Sequence, residues 1–90
     1  MALRILSAPP PEPAALVEQL RSAVLAALPG AEVRVEAGSP GHFALEVVSP
    51  AFAGLSRVRQ QQQVYAAIAQ LMAGDEAPVH AIDRLITRTP

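Results

Sequence analysis

The spacing of the apolar residues switches repeatedly along this chain, and that switching narrows the possible folds more than any single motif. The row Leu16, Leu20, Val24 and Leu28 repeats every four residues, and Val17 and Ala27 widen it into one face of a helix. At Glu32-Val33-Arg34-Val35-Glu36 the period falls to two, the signature of a half-buried strand. Phe43, Leu45 and Val47 keep that period against Ala44, Glu46 and Val48, so a second strand follows. Helical spacing returns with Val58, Val64, Tyr65, Ile68, Leu71 and Met72, and Val79 to Thr87 reads as a third strand. The order is α-β-β-α-β. One three-stranded mixed sheet with both helices packed on one face buries all these apolar faces most simply, which is an α+β fold.

The punctuation agrees with that order. Glu12-Pro13 suits a helix start, where proline is accepted, and Pro29-Gly30 suits its end. Gly38-Ser39-Pro40-Gly41 predicts a hairpin turn, and Ser49-Pro50 closes the second strand before the apolar anchor Phe52. Ser56 predicts the N-cap of a second helix running to about Ala73 and stopped by Gly74. On that helix Gln61 falls in the middle of the stripe, a buried amide expected to hydrogen-bond near the helix start, while Arg59, Gln63 and Ala67 fall away from it. Val79, Ala81 and Leu85 are expected to point inward. A third strand parallel to its neighbour requires a right-handed crossover. Residues 1–11, with three consecutive prolines, read as a flexible N-terminal tail, and residues 12–90 as one domain.

Ninety residues support one modest core and no deep cleft between lobes. With Phe43, Phe52 and Tyr65 the only aromatics, that core must be built from Leu, Val, Ile and Ala. There is no cysteine, hence no disulfide and no thiolate site, and cluster chemistry would need cysteine from a partner. The net charge is −1, from seven arginines against eight acids, which argues against nucleic-acid binding by the whole surface. Arg34, Arg57 and Arg59 are the candidates for a local basic face. The first residues do not form a secretory signal, and no run approaches the roughly 20 apolar residues of a membrane span, so a cytoplasmic protein is expected.

Catalysis is not expected. Ser49 and Ser56 have no base nearby in sequence, and paired carboxylates, a phosphate loop and a His-Glu-x-x-His pattern are all missing. Gly38-Ser-Pro-Gly41 has the form of a GxxG clamp, but it joins two strands and its proline removes a donor, so it reads as a turn. The glutamine run Gln60 to Gln63 reads as helix surface rather than low complexity.

His42-Phe43, Val48-Ser49, Phe52-Ala53-Gly54 and His80-Ala81 follow one another in an order and spacing that resembles the BolA family over about residues 12–90. Ser56-Arg57-Val58, Gln61-Gln62 and Val64-Tyr65 are similar to its IbaG-like branch in particular. The resemblance implies a topology like that of class II KH domains. It also implies an adaptor that binds a monothiol glutaredoxin and takes part in iron–sulfur cluster trafficking or in iron and stress regulation. The 2Fe–2S cluster would be shared with the partner rather than held stably alone, and the free protein would be a monomer or weak homodimer. His80 matches the family's C-terminal histidine ligand. An imidazole can replace thiolate on one iron, as in Rieske-type centres. The family's second ligand comes from the loop between the first two strands, where Ser39 and Pro40 cannot serve and His42 can. Many relatives carry Arg-His where this chain has Gln60-Gln61, which puts in doubt any role of that basic pair here. The alternative implied by the resemblance is a DNA-binding transcriptional regulator of the stress response, with Arg57, Arg59 and Arg34 meeting phosphates.

Overall fold

A computed structural model describes residues 12–90, so the expected tail over residues 1–11 lies outside the described residues. Helix α1 (Pro13–Ala27) starts at its proline, which lacks only an N–H the first turn leaves unpaired anyway. It ends as Leu28 donates its N–H to the Val24 carbonyl at 2.8 Å and Gly30 turns the chain at φ +85°. Strands β1 (Glu32–Ala37) and β2 (His42–Val48) form an antiparallel hairpin with Val35 opposite Leu45. Ser49 then caps a single 3₁₀ turn, Pro50–Phe52, by accepting from the Ala51 N–H at 3.1 Å. Helix α2 (Arg57–Met72) is capped by Ser56, whose hydroxyl accepts from the Arg59 N–H at 3.2 Å. Strand β3 (Ala81–Arg88) lies parallel to β2, giving the sheet order β1-β2-β3.

The core lies between one face of the sheet and both helices. Leu16, Leu20, Val24 and Leu28 of the first helical segment meet Phe43, Leu45 and Val47 of β2, while Val64 and Ile68 come from α2. Phe52 and Val79 fill the space beneath the two connections. Burial of each such side chain is worth about 1.5–3 kcal/mol, and these residues hold the layers together. Thr87 sits among them opposite Val47, and its hydroxyl is buried without a hydrogen-bond partner among the described residues.

Four side-chain expectations are corrected. On α2 the buried arc centres on Val64 and Ile68 and turns toward Ala67, which packs against the core; Val58 is 62% exposed and Tyr65 41%. On α1 it is Ala23, not Ala27, that widens the stripe. Gln61 is half-buried and donates to the Leu85 carbonyl of β3 at 3.3 Å, while Gln60 donates near the helix start to the Leu55 carbonyl at 3.0 Å. The third strand begins two residues later than expected, because Val79 donates to the Leu71 carbonyl of α2 rather than to the sheet. A register shift between Phe43 and Ala44 also leaves Asp83 as an extra residue in β3. The shift reverses the alternation, so Ile82 and Leu85 pack on the core while Ala81 shares the opposite side with His42.

Candidate functional site

Both histidines stand at one end of the sheet because the hairpin turn and the start of β3 are bonded to each other. In the turn, Pro40 precedes Gly41 at φ +81°, and the His42 N–H closes it on the Ser39 carbonyl at 2.8 Å, the arrangement of a type II turn. The Gly41 carbonyl then accepts from two consecutive donors, the His80 N–H at 2.8 Å and the Ala81 N–H at 3.2 Å. His42 and Ala81 are therefore lateral neighbours at the first rung of the parallel ladder.

The two imidazoles nevertheless leave that junction on different sides. The His80 ring lies directly over the Gly41 α-carbon, so close that a Cβ placed there would be 2.5 Å from its Nδ1. It is exposed, and its ring has no hydrogen-bond partner among the described residues. It rims a cavity of about 510 Å³ on the helical side of the sheet, floored by Leu16, Phe43 and Ala77 and edged by Pro13, Pro40 and Glu76. His42 precedes core residue Phe43 and so takes the opposite, open side. Its Nδ1 meets Asp83 Oδ1 at 2.9 Å. An ionised carboxylate can only accept, so this contact places the proton on Nδ1 and leaves Nε2 directed away.

Sequence spacing brought the two histidines to one end of the sheet but missed two residues that position them. Asp83 is the extra residue of the bulge and reaches His42 from there, and the sequence carries no signal for the bulge. Pro40-Gly41 signalled a turn, but not that its glycine lies beneath an imidazole. The structure does not bring the three candidate arginines together. Arg57 and Arg59 open α2 on the helical side, whereas Arg34 lies on the open face opposite Glu46 and is flanked by Glu32 and Glu36. Glu46 in turn accepts from Arg88 at 3.2 Å, so that face is mixed in charge. No helix among the described residues is long and apolar enough to cross a membrane.

The family profile described as "BolA-like protein" matches residues 23–90. A curated relative, BolA-like protein 1 of Pongo abelii, is 43% identical over 56 residues, which are 62% of this chain and 38% of that protein. The chain thus spans well under half of that relative. Among solved structures, BolA1 from Arabidopsis thaliana superposes with a TM-score of 0.68 at 22% identity, covering 82% of this chain and 90% of that one. A BolA protein homologue from Coxiella burnetii superposes with a TM-score of 0.66 at 27% identity, covering 81% and 88%.

Proposed function

Since this chain belongs to the BolA family, we propose that it is a cytoplasmic adaptor that docks a monothiol glutaredoxin and shares a 2Fe–2S cluster with it, in cluster trafficking or in iron and stress regulation. The observation that carries this reading is His80: an exposed imidazole, unpaired among the described residues, fixed by its backbone at the rim of a largely apolar cavity. A ligand offered to a partner needs that combination of an anchored backbone and a free ring. The IbaG-like assignment within the family rests on the residues from Ser56 to Tyr65.

The donor set fits a shared cargo better than a resident metal. No group of three or more His, Cys, Asp or Glu side chains among the described residues can hold a metal ion. The chain has no cysteine, so thiolates must come from the partner, and His80 contributes one nitrogen. His42 is the second donor of this reading. Its Nε2 is available, but on the other side of the sheet from the cavity. The partner surface comprises the hairpin turn, the start of β3 and the C-terminal half of α2.

The test is titration of the protein into cluster-loaded monothiol glutaredoxin, followed by visible circular dichroism and co-elution. The spectrum should change, and His80→Ala should abolish the change while leaving the far-ultraviolet spectrum intact. An unchanged spectrum together with no co-elution of the apo pair sinks the reading. The DNA-binding alternative is weaker, since Arg34 lies across the sheet from Arg57 and Arg59. It requires a salt-steep affinity tighter than about 10⁻⁴ M at physiological salt, the range of non-specific binders.

A further inference from the structure

Among the described residues no backbone group pairs with the outer edge of β1, and its charges are arranged to fit one particular strand. In the sheet order β1-β2-β3, no described strand pairs with that edge. The Gly38 N–H points to β2, donating to the His42 carbonyl at 2.8 Å. The antiparallel register runs unbroken from Gly38 back through β1, so Glu36, Arg34 and Glu32 also turn their peptide groups to β2. Val33, Val35 and Ala37 therefore present theirs outward. Arg34 and Glu36 stand on the open face, and neither makes an ion pair among the described residues.

We propose that β1 pairs antiparallel with β1 of a second copy of this chain, in the register that places Val35 opposite Val35 of the copy on the two-fold axis. In that register Arg34 of each chain faces Glu36 of the other, giving two opposite-charge pairs. The outward groups of Val35, Val33 and Ala37 meet their counterparts, with two hydrogen bonds in each of three residue pairs. The neighbouring registers fail on charge. Sliding by one step sets Arg34 against Arg34 and Glu32 against Glu36, and sliding the other way sets Glu36 against Glu36. The remaining opposite-charge register, centred on Val33, opposes Ala37 to Pro29, which has no N–H to donate. The axis perpendicular to the sheet keeps both pairs of helices on the same side and joins two three-stranded sheets into one. Ala37 and Gly38, which also line the His80 cavity, lie at the margin of the contact, and the two histidines lie beyond them at the start of β2 and just before β3.

Because the chain has no cysteine, a single introduced thiol reports the register directly. Directly opposed, hydrogen-bonded strand residues have α-carbons about 5.5 Å apart, within disulfide reach. Under mild oxidation Val35→Cys should form a covalent dimer and Val33→Cys should not. Sedimentation of the full chain at concentrations up to about 1 mM reads the unmodified association. Arg34→Glu and Glu36→Arg should each weaken it by about tenfold or more, through cross-strand charge reversal, and the double swap should restore it. A monomer throughout that range overturns the proposal. So does crosslinking of Val33→Cys instead of Val35→Cys, or a double swap that fails to recover. These measurements use the protein alone, so their failure is separate from failure of the glutaredoxin titration.

Discussion

The contact between Gly41 and His80 yields a prediction with a built-in reference. Gly41→Ala meets two obstacles. An L-residue at φ +81° lies in the left-handed region, which costs about 1–2 kcal/mol. The new Cβ would also lie 2.5 Å from His80 Nδ1, 2.7 Å from its Cγ and 3.0 Å from its Cε1, where ordinary contacts are about 3.5–4.0 Å. The ring cannot retreat with its backbone, because the His80 N–H is bonded to the same residue's carbonyl. The exposed ring must therefore turn off its position, at about 0.5–1.5 kcal/mol, so the whole substitution should cost about 1.5–3.5 kcal/mol. Gly30→Ala is the reference: φ is +85° and nothing lies within 4 Å of its added Cβ, so only the backbone cost of about 1–2 kcal/mol applies.

Urea unfolding followed by far-ultraviolet circular dichroism measures both variants. The decisive comparison is a double-mutant cycle in which Gly41→Ala is repeated in the His80→Ala background. Without the ring, Gly41→Ala should fall to the cost of Gly30→Ala, leaving a coupling of about 0.5–1.5 kcal/mol. Equal costs for the two glycines in the parent protein, or an excess that persists after the ring is removed, would refute the placement of His80 over the turn.

Two further substitutions follow from unpaired or newly paired polar atoms. Thr87→Val should raise stability by about 1 kcal/mol in the same unfolding assay, since it replaces a buried unbonded hydroxyl with a methyl of similar shape; a loss of stability would mean that the hydroxyl has a partner. Asp83→Ala should release the His42 Nδ1 proton, so nitrogen-detected NMR of the ring should show the Nδ1–H tautomer giving way, while stability changes by less than about 1 kcal/mol because the pair is largely exposed. An unchanged tautomer population would remove Asp83 as the group that sets it.

The elements and their order were legible because each has its own apolar period and a stop signal at its end. Leu16, Leu20, Val24 and Leu28 face the core as their spacing predicts, and Ser56 caps α2 as its place before the stripe predicts. The sheet's mixed pairing and the packing of both helices on one face follow from the same patterns. What the sequence did not disclose depends on tertiary choices among equivalent options. Val58 and Tyr65 fit the helical spacing but lie at the margin of the arc, and packing against α1, beside Ala23 and Leu28, selected Ala67 instead. The bulge at Asp83 is a register decision between two strands, and it moved Ala81 and Ile82 to faces that simple alternation would have exchanged. At the site, spacing put His42 and His80 at a common sheet end and alternation with Phe43 set the side of His42, but the side of His80 depended on that bulge and on the turn glycine.

The opposed directions of the two rings give them unequal parts in the proposed docking. His80 is held through its backbone and free in its ring, so a partner entering from the cavity side meets a donor that needs no rearrangement. His42 is held through its ring by Asp83 on the open side. For both nitrogens to reach one cluster, His42 would have to leave Asp83 and swing around the end of the sheet. The lost pair costs little, since exposed ion pairs contribute about 0–1 kcal/mol. In the proposed complex the swing would instead have to be driven by the bond that His42 would form with iron. His42→Ala should therefore weaken retention of a cluster in the complex while sparing assembly of the cluster-free pair, whereas His80→Ala should remove the first spectral response to the loaded partner. Equal and complete loss from both variants would mean that the two rings converge before the partner arrives, against the geometry of the turn.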